Sequence, residues 1–210
     1  MKIYGRNKQL KLLIVSGDEN KLFHLKEFAV ALSKLGVEYK LIKDTDYVVS
    51  FPSKKIKQWI ESRKKFKKII AEFSPDAIFV DRQTKFGLEA IKVDIPLFVY
   101  LRGNIWLEYK WAKETIYKDP VMRAVLNQRH KIANEVFEKC DGVFLTADYL
   151  DSVVKKHHPN TKTFHFLEGL DVSRWYPSKG ISLKPVSYTH LRAHETLRYR
   201  VCRLVLVKKK

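Results

Sequence analysis

The sequence predicts an α/β protein in which a parallel sheet is covered by helices on both faces. Six short apolar runs have the composition of buried strands, and amphipathic stretches with helical spacing lie between them. The composition agrees, because 45% hydrophobic and 12% aromatic residues allow the 210-residue chain to bury one good core. In such folds, ligands bind at the carboxyl ends of the strands.

The strands are recognised as compact apolar runs, of which LKLLIVS is the first and VEYKLIK the second. They are predicted at residues 10–16, 37–43, 76–81, 95–101, 142–146 and 163–167. The loops that follow them are therefore where we expect a site.

The helices between the strands are predicted from apolar residues three and four positions apart. They are expected at residues 25–35, 56–73, 84–92, 105–139 (as a pair) and 147–157. Gly36 and Ser74-Pro75 end the first two. In the pair, Asp119-Pro120 predicts a new helix start. The buried face of that second helix is predicted to be Met122, Val125, Leu126, Ala133, Val136, Phe137 and Cys140.

The chain is strongly basic, with a formal net charge of +18. Seven basic residues and one acid in the last 26 residues account for six of these charges, which leaves +12 on residues 1–184. Such an excess suits an anionic partner such as phosphate, nucleic acid or a membrane surface.

Localisation is predicted from the cysteines and the N-terminus. Cys140 and Cys202 are too few and too far apart for a disulfide framework. The first apolar run lacks a cleavage site, so we interpret it as a strand and not as a signal peptide. No apolar stretch approaches the ~18 residues of a membrane span. We expect a cytoplasmic protein.

Two loops after strands carry candidate site residues. In SGDENKLFH, the backbone near Gly17 and Asp18 can approach a phosphate or sugar, and His24 either contacts the ligand or packs at the helix start. In LRGNIW, Arg102 beside a glycine can clamp a phosphate or an anionic leaving group. The alternative is that Arg102 pairs with Asp81 and holds the sheet edge.

Metal binding receives little support from the sequence. Asp44-Thr45-Asp46 matches a D-x-D pattern that holds a divalent metal in some sugar-transfer enzymes, but we interpret it as an ordinary loop. His157, His158 and His165 lack the spacing of a metal pair. We assign no metal and no cofactor.

Residues 54–68 form a basic segment with interleaved aromatic residues. It is either a solvated helix face or a helix that lies on an anionic membrane. Nucleic-acid contact is a third alternative. The candidate membrane-binding residues are Lys54, Lys55, Lys57, Arg63, Lys64, Lys65, Lys67 and Lys68.

Residues 10–178 resemble the N-terminal, Rossmann-like half of a GT-B fold, in the retaining glycosyltransferase family four. The segments that carry the resemblance are DGVFLTADYLDSVVKK and LEGLDVSRWYP, in which Gly169 and Asp171 match a turn that ends the first domain of that family. Glu168 stands where the family usually has asparagine.

The resemblance implies transfer of a sugar from a nucleotide-sugar to an acceptor, with retention and without a metal. It implies that this half binds the acceptor, and Arg102 lies near the position of a family histidine, so it is the predicted catalytic residue. The predicted substrate-binding residues are Gly17, Asp18, His24, Asp81, Gly103, Asn104, Glu168 and Gly169.

The family's second domain, which holds the donor, is expected after Pro177 but is not present. Residues 179–184 are interpreted as a truncated linker, and residues 185–210 resemble the translation of a sequencing adapter. We therefore expect the fragment to be inactive alone, as part of an enzyme that acts on a lipid-linked or other acceptor at a membrane face.

Two rival functions stay open. The first is a stand-alone basic module that binds anionic lipid or nucleic acid, although nucleic acid is the less favoured partner. The second is a metal-dependent sugar transferase that uses Asp44 and Asp46.

Overall fold

A computed structural model describes residues 9–17, 19–48, 56–82, 85–166 and 169. The strands within these residues are β1 (Lys11–Ser16), β2 (Glu38–Lys43), β3 (Ala77–Asp81), β4 (Leu97–Leu101), β5 (Gly142–Leu145) and β6 (Thr163–His165). The helices are α1 (Glu19–Lys34), α2 (Asp44–Tyr47), α3 (Ile56–Phe73), α4 (Lys85–Ala90), α5 (Ile105–Thr115), α6 (Pro120–Lys139) and α7 (Tyr149–His157). The strands form one parallel sheet in the order β2-β1-β3-β4-β5-β6, which confirms the predicted α/β class with its Rossmann-like sheet.

The two faces of the sheet have separate cores, because alternate residues of each strand point to opposite sides. In β1, Leu13 and Val15 belong to the core that also contains residues of α3 to α7. Ile14 belongs to the other core, with Leu25 and Ala29 of α1 and the aromatic residues Phe79 and Tyr100. Helices therefore cover both faces.

Backbone signals in the sequence end and start the helices where expected. Gly36 has φ of 86°, a left-handed conformation that suits glycine directly after a helix. At the start of α6, Asp119 accepts hydrogen bonds from the backbone N of Val121 (2.9 Å) and of Met122 (3.1 Å), and Pro120 occupies the first turn. The predicted break between α5 and α6 is thus confirmed.

Three details differ from the predictions. Met122 was predicted to be buried but is 45% exposed in the first turn of α6. Asp44-Thr45-Asp46 was predicted as a loop but begins the one-turn helix α2, in which the backbone N of Val48 donates to Asp44 O. Finally, α1 begins at Glu19, six residues before the first apolar residue used to predict it.

Backbone contacts divide the chain into two units, Met1–Leu170 and Asp171–Lys210, and every described residue belongs to the first. The predicted boundaries at 178 and 184 lie outside the described residues and stay predictions. Within the described ranges, no helix is long and apolar enough to cross a membrane.

Candidate functional site

The sheet order creates a crevice between β1 and β3. From β1 the chain moves to β2 on one side, and then returns past β1 to β3 on the other. Ligands of parallel sheets bind at such a switch point, outside the carboxyl ends of the strands. The two strands end at Ser16 and Asp81, which are paired in register and buried. Gly17 follows as an exposed residue.

Asp81 forms an ion pair with Arg102 of the neighbouring strand end. The Nε of Arg102 lies 3.2 Å from Oδ1 of Asp81, whose side chain is fully buried, while the Arg102 side chain is 20% exposed. The guanidinium also lies over the ring of Tyr100, 4.8 Å from its centroid. The pairing expected as an alternative to phosphate clamping is therefore present, and it fixes a cation at the carboxyl ends of β3 and β4.

A cavity of about 920 Å³ opens at this edge and extends along the groove between α5 and α6. Its volume is in the range of small-molecule sites. Three basic side chains, Arg82, Lys85 and Arg129, line it together with three acids, Asp44, Asp81 and Glu108. Aromatic residues form another part of its wall: Tyr109, Trp111 and Tyr117.

The backbone turns sharply where β3 enters the cavity. Arg82 has φ of 75°, a left-handed conformation that costs energy for a residue with a side chain. Its backbone N donates to Tyr100 O at 3.1 Å, which anchors the turn to β4. Lys85 follows at the start of α4, where burial lowers the pKa of its amine against the opposing effect of Glu89. The turn brings two cationic residues to one wall.

Tyr109 and His130 form the wall of the cavity between α5 and α6. Their rings are stacked with centroids 4.0 Å apart. The Tyr109 hydroxyl donates to Asn127 Oδ1 at 2.6 Å, which fixes the ring from the other helix. Burial, and then the nearby His157 and His158, lower the pKa of His130, so its imidazole is neutral near pH 7. The wall therefore presents a rigid and mainly uncharged aromatic surface.

Asn134 links the helices behind this wall. Its Oδ1 accepts from Trp106 Nε1 at 3.1 Å and lies 3.1 Å from His158 Nε2. Trp106 in turn stacks on His157, with centroids 4.3 Å apart. Because one amide joins α5, α6 and the end of α7, the groove has a fixed width.

Of the predicted site residues that the structure describes, Gly17 and Asp81 line the cavity, whereas Arg102, Gly103 and Asn104 do not. Asn104 is the N-cap of α5, where its Oδ1 accepts from the backbone N of Leu107 at 3.0 Å. A Cβ on Gly103 would lie 2.9 Å from a carboxylate oxygen of Glu108, which is the far end of an exposed, flexible side chain. These contacts show structural roles, and their predicted substrate contacts stay predictions.

The remaining predicted substrate residues are less well placed by the structure. His24 lies on α1, Gly169 is exposed, and Asp18 and Glu168 lie outside the described residues. Asp44 lines the cavity and is buried, whereas Asp46 is exposed. Among the described residues, no group of three or more His, Cys, Asp or Glu side chains is arranged to hold a metal.

The basic segment forms most of α3. Its described basic side chains are exposed: Arg63, Lys64, Lys65, Lys67 and Lys68. Lys57 lies on the same helix but its side chain is not described, and Lys54 and Lys55 precede the helix, outside the described residues. Membrane binding by this surface stays a prediction.

Sequence reasoning missed the groove between α5 and α6. The missed residues that line it are Tyr109, Trp111, Tyr117, Arg129 and His130. None belongs to a motif, but the predicted break at Asp119-Pro120 was a usable signal. It implies an antiparallel helix pair, in which residues some twenty positions apart face each other.

Comparisons with known proteins show the fold only. No protein-family model matches the chain, and no curated protein sequence matches it. Sucrose-phosphate synthase from Thermosynechococcus elongatus is similar in structure, with a TM-score of 0.61 and 11% identity over 92% of this chain and 53% of that one. UDP-N-acetylglucosamine 2-epimerase from Rickettsia bellii has a TM-score of 0.50 and 16% identity over 75% of this chain and 44% of that one. Est1E from Butyrivibrio proteoclasticus has a TM-score of 0.48 and 13% identity over 77% of this chain and 79% of that one.

The first two neighbours have glycosyltransferase-like GT-B folds, and this chain shares their Rossmann-like α/β architecture. The chain spans about half the length of each of them.

Proposed function

We propose that the chain is the acceptor-side half of a glycosyltransferase that moves a sugar from a nucleotide-sugar to a lipid-linked or other acceptor. The observation that carries the proposal is the cavity at the switch point, which combines basic and aromatic side chains. Guanidinium and ammonium groups pair with phosphate. Aromatic faces offer apolar, flat surfaces for sugar rings. Both chemistries are needed for a phosphorylated sugar.

Fold likeness supports this proposal at a coarser level. The names of the two GT-B-like neighbours specify a UDP-sugar in one and a sugar phosphate in the other. The family resemblance implies that the proposed reaction also uses a second, donor-holding domain. Transition-state stabilisation requires donor and acceptor to be held together, so the 210-residue chain is expected to bind sugar ligands without turning them over.

Different residues of the cavity would contact different parts of the ligand. Arg82 and Arg129 are exposed at the cavity and would pair with phosphate oxygens, while Tyr109 would pack against the sugar ring. Arg102 would act from behind Asp81 by fixing the charge of the buried carboxylate. Direct stabilisation of the leaving phosphate by Arg102 stays a prediction, because its side chain is paired with Asp81 and does not line the cavity.

Ligand-observed NMR on the 210-residue chain tests the proposal. The probes are UDP, UDP-glucose, glucose 6-phosphate and sucrose, so that phosphate and sugar contributions are separated. We expect binding of phosphorylated sugars that weakens at least about tenfold in the R82Q/R129Q variant, which removes two ion pairs. The K64Q/K67Q variant removes two exposed charges from α3 and should bind as the original chain does. Equal binding by both variants, or turnover of UDP-glucose by the chain alone, would contradict the proposal.

A basic binding module is the second candidate, and the exposed cations of α3 favour it. Binding to nucleic acid would weaken steeply with salt, because neutralised phosphates release counterions. Fluorescence anisotropy with a labelled single-stranded oligonucleotide at two salt concentrations distinguishes it from the sugar-binding proposal. Loss of that binding in K64Q/K67Q, with no sugar phosphate binding by the chain, would favour the module.

A further inference from the structure

Exposed apolar residues are concentrated where α5 meets α6. Ten large apolar residues among those described are exposed, and five of these lie between residues 107 and 122. They are Leu107, Trp111, Ile116, Val121 and Met122. We define the apolar tip as Ile116, Val121 and Met122, which are 76%, 70% and 45% exposed, with Trp111 (54%) one turn below on α5.

The tip is held rigidly by its own backbone. The backbone N atoms of Ile116 and Tyr117 donate to Ala112 O at 3.0 and 2.8 Å, which closes the end of α5. The side chain of Asp119 caps α6 on the other side of the turn. Arg123 Nε donates to Tyr117 O at 3.1 Å and ties the two helix ends together. The apolar side chains are therefore presented to solvent by a fixed scaffold.

Basic side chains surround the tip. Lys110, Lys113, Lys118 and Arg123 are exposed there. The acids in the same stretch are Glu114 and Asp119, and the carboxylate of Asp119 is engaged at the start of α6, where the helix dipole offsets its charge. Exposed cations on α5, on α6 and in the turn between them therefore flank the apolar tip along the chain.

We propose that the apolar tip inserts into the headgroup region of an anionic bilayer. Val121 and Met122 are exposed and do not line the cavity between α5 and α6, so they are not part of that groove. Apolar and aromatic residues among lysine and arginine are the composition of interfacial membrane-binding elements, whose cations pair with anionic headgroups while their stems remain in apolar surroundings. The net charge of +12 on residues 1–184 adds long-range attraction.

This surface is distinct from the basic face predicted on α3, and it has a consequence for the cavity. Trp111 and Ile116 belong both to the tip region and to the cavity lining. If the cavity binds an acceptor, which rests on the proposed function, insertion of the tip would place the cavity mouth at the bilayer surface. The acceptor would then be carried by the membrane.

Vesicle co-sedimentation of the 210-residue chain, with no sugar present, tests the tip independently of any sugar binding. Vesicles of phosphatidylcholine with a fifth phosphatidylglycerol are compared with pure phosphatidylcholine. We expect binding to the anionic vesicles that falls at least about tenfold in I116S/V121S/M122S. The matched control is L10S/V30S/L35S, which removes three apolar residues that are 50%, 38% and 80% exposed elsewhere. It should bind as the original chain does.

Several results would overturn the proposal: no binding to anionic vesicles, equal binding by the tip variant, or equal loss in the control variant. Loss of self-association without loss of lipid binding, measured by size-exclusion chromatography, would show that the tip contacts a second copy instead.

A spin label tests insertion directly in a C140S/C202S background. A label at I116C should become protected from a water-soluble relaxation agent when anionic vesicles are added, whereas one at L35C should stay accessible. Equal accessibility of both labels on bound vesicles would also overturn the proposal.

Discussion

Replacing Arg102 with methionine tests how strongly the switch point depends on its ion pair. Methionine keeps much of the apolar stem but removes the guanidinium that lies 3.2 Å from the buried carboxylate of Asp81. At an effective dielectric constant near 20, two unit charges at this separation attract by about 5 kcal/mol. The partial exposure of Arg102 and the desolvation of both groups reduce the net effect, so we expect R102M to lose about 3 kcal/mol of the free energy of unfolding.

Urea unfolding followed by circular dichroism measures this loss. With a slope of about 2 kcal/mol per molar urea, 3 kcal/mol moves the midpoint down by about 1.5 M. The D81N/R102M double variant removes both charges, and since no carboxylate is then left without its cation, it should be more stable than the sum of the single variants predicts by about 2 kcal/mol. A midpoint shift below about 0.3 M in R102M, or additive effects in the double variant, would refute the reasoning.

Three further predictions concern single groups. Burial lowers the pKa of His130 below 6.5, so the unfolded chain takes up a proton at a higher pH than the folded chain does. The free energy of unfolding should therefore fall as the pH drops below about 6.5. Urea midpoints measured at pH about 7.5 and about 5.5 should differ less in H130N than in the original chain. A Cβ on Gly142 would lie 2.5 Å from the ring of Phe164, so G142A should lower the free energy of unfolding by about 1–2 kcal/mol. Removal of the ring in G142A/F164A should restore the stability that G142A loses. An unchanged stability of G142A would show that the ring moves freely out of the way. Burial raises the pKa of Cys140 to about 12. In a C202S chain at pH about 8, this thiol should therefore react with iodoacetamide at least about tenfold more slowly when the chain is folded than when it is unfolded in urea. Equal rates in the two states would contradict its burial.

The fold was predictable because each of its elements carries its own local signal. Apolar runs gave the strands to within two residues, since both faces of a central parallel strand are buried. Asp119 predicted the start of α6 because an aspartate at a helix start accepts hydrogen bonds from the first backbone N–H groups, whatever the rest of the fold is. The prediction that Met122 is buried was wrong. Helical spacing assigns a residue to one face of a helix, but it does not show how much of the length of that face a neighbouring element covers.

The candidate site was predictable only in part. Gly17 and Asp81 line the cavity because the topology brings the ends of β1 and β3 together, and their substrate contacts stay predictions. Tyr109 and His130 were missed because their contact depends on the distance and angle between two helices. No pattern within either helix specifies that geometry.

The direction of the chain through the sheet explains why the cavity and the apolar tip share one side. From β3 to β6, each new strand lies beside the previous one and further from β1 in the sheet. Right-handed crossovers then place each connecting helix from α3 onward on one face, and α1 alone on the other, which agrees with the two separate cores. The connection between β4 and β5 is the long one, and it holds both α5 and α6. This hairpin therefore lines the crevice on the face of the sheet that α3 to α7 cover. Among the described residues, Ile116, Val121 and Met122 at the far end of the hairpin stay exposed, and this exposure is the observation from which the membrane contact is proposed.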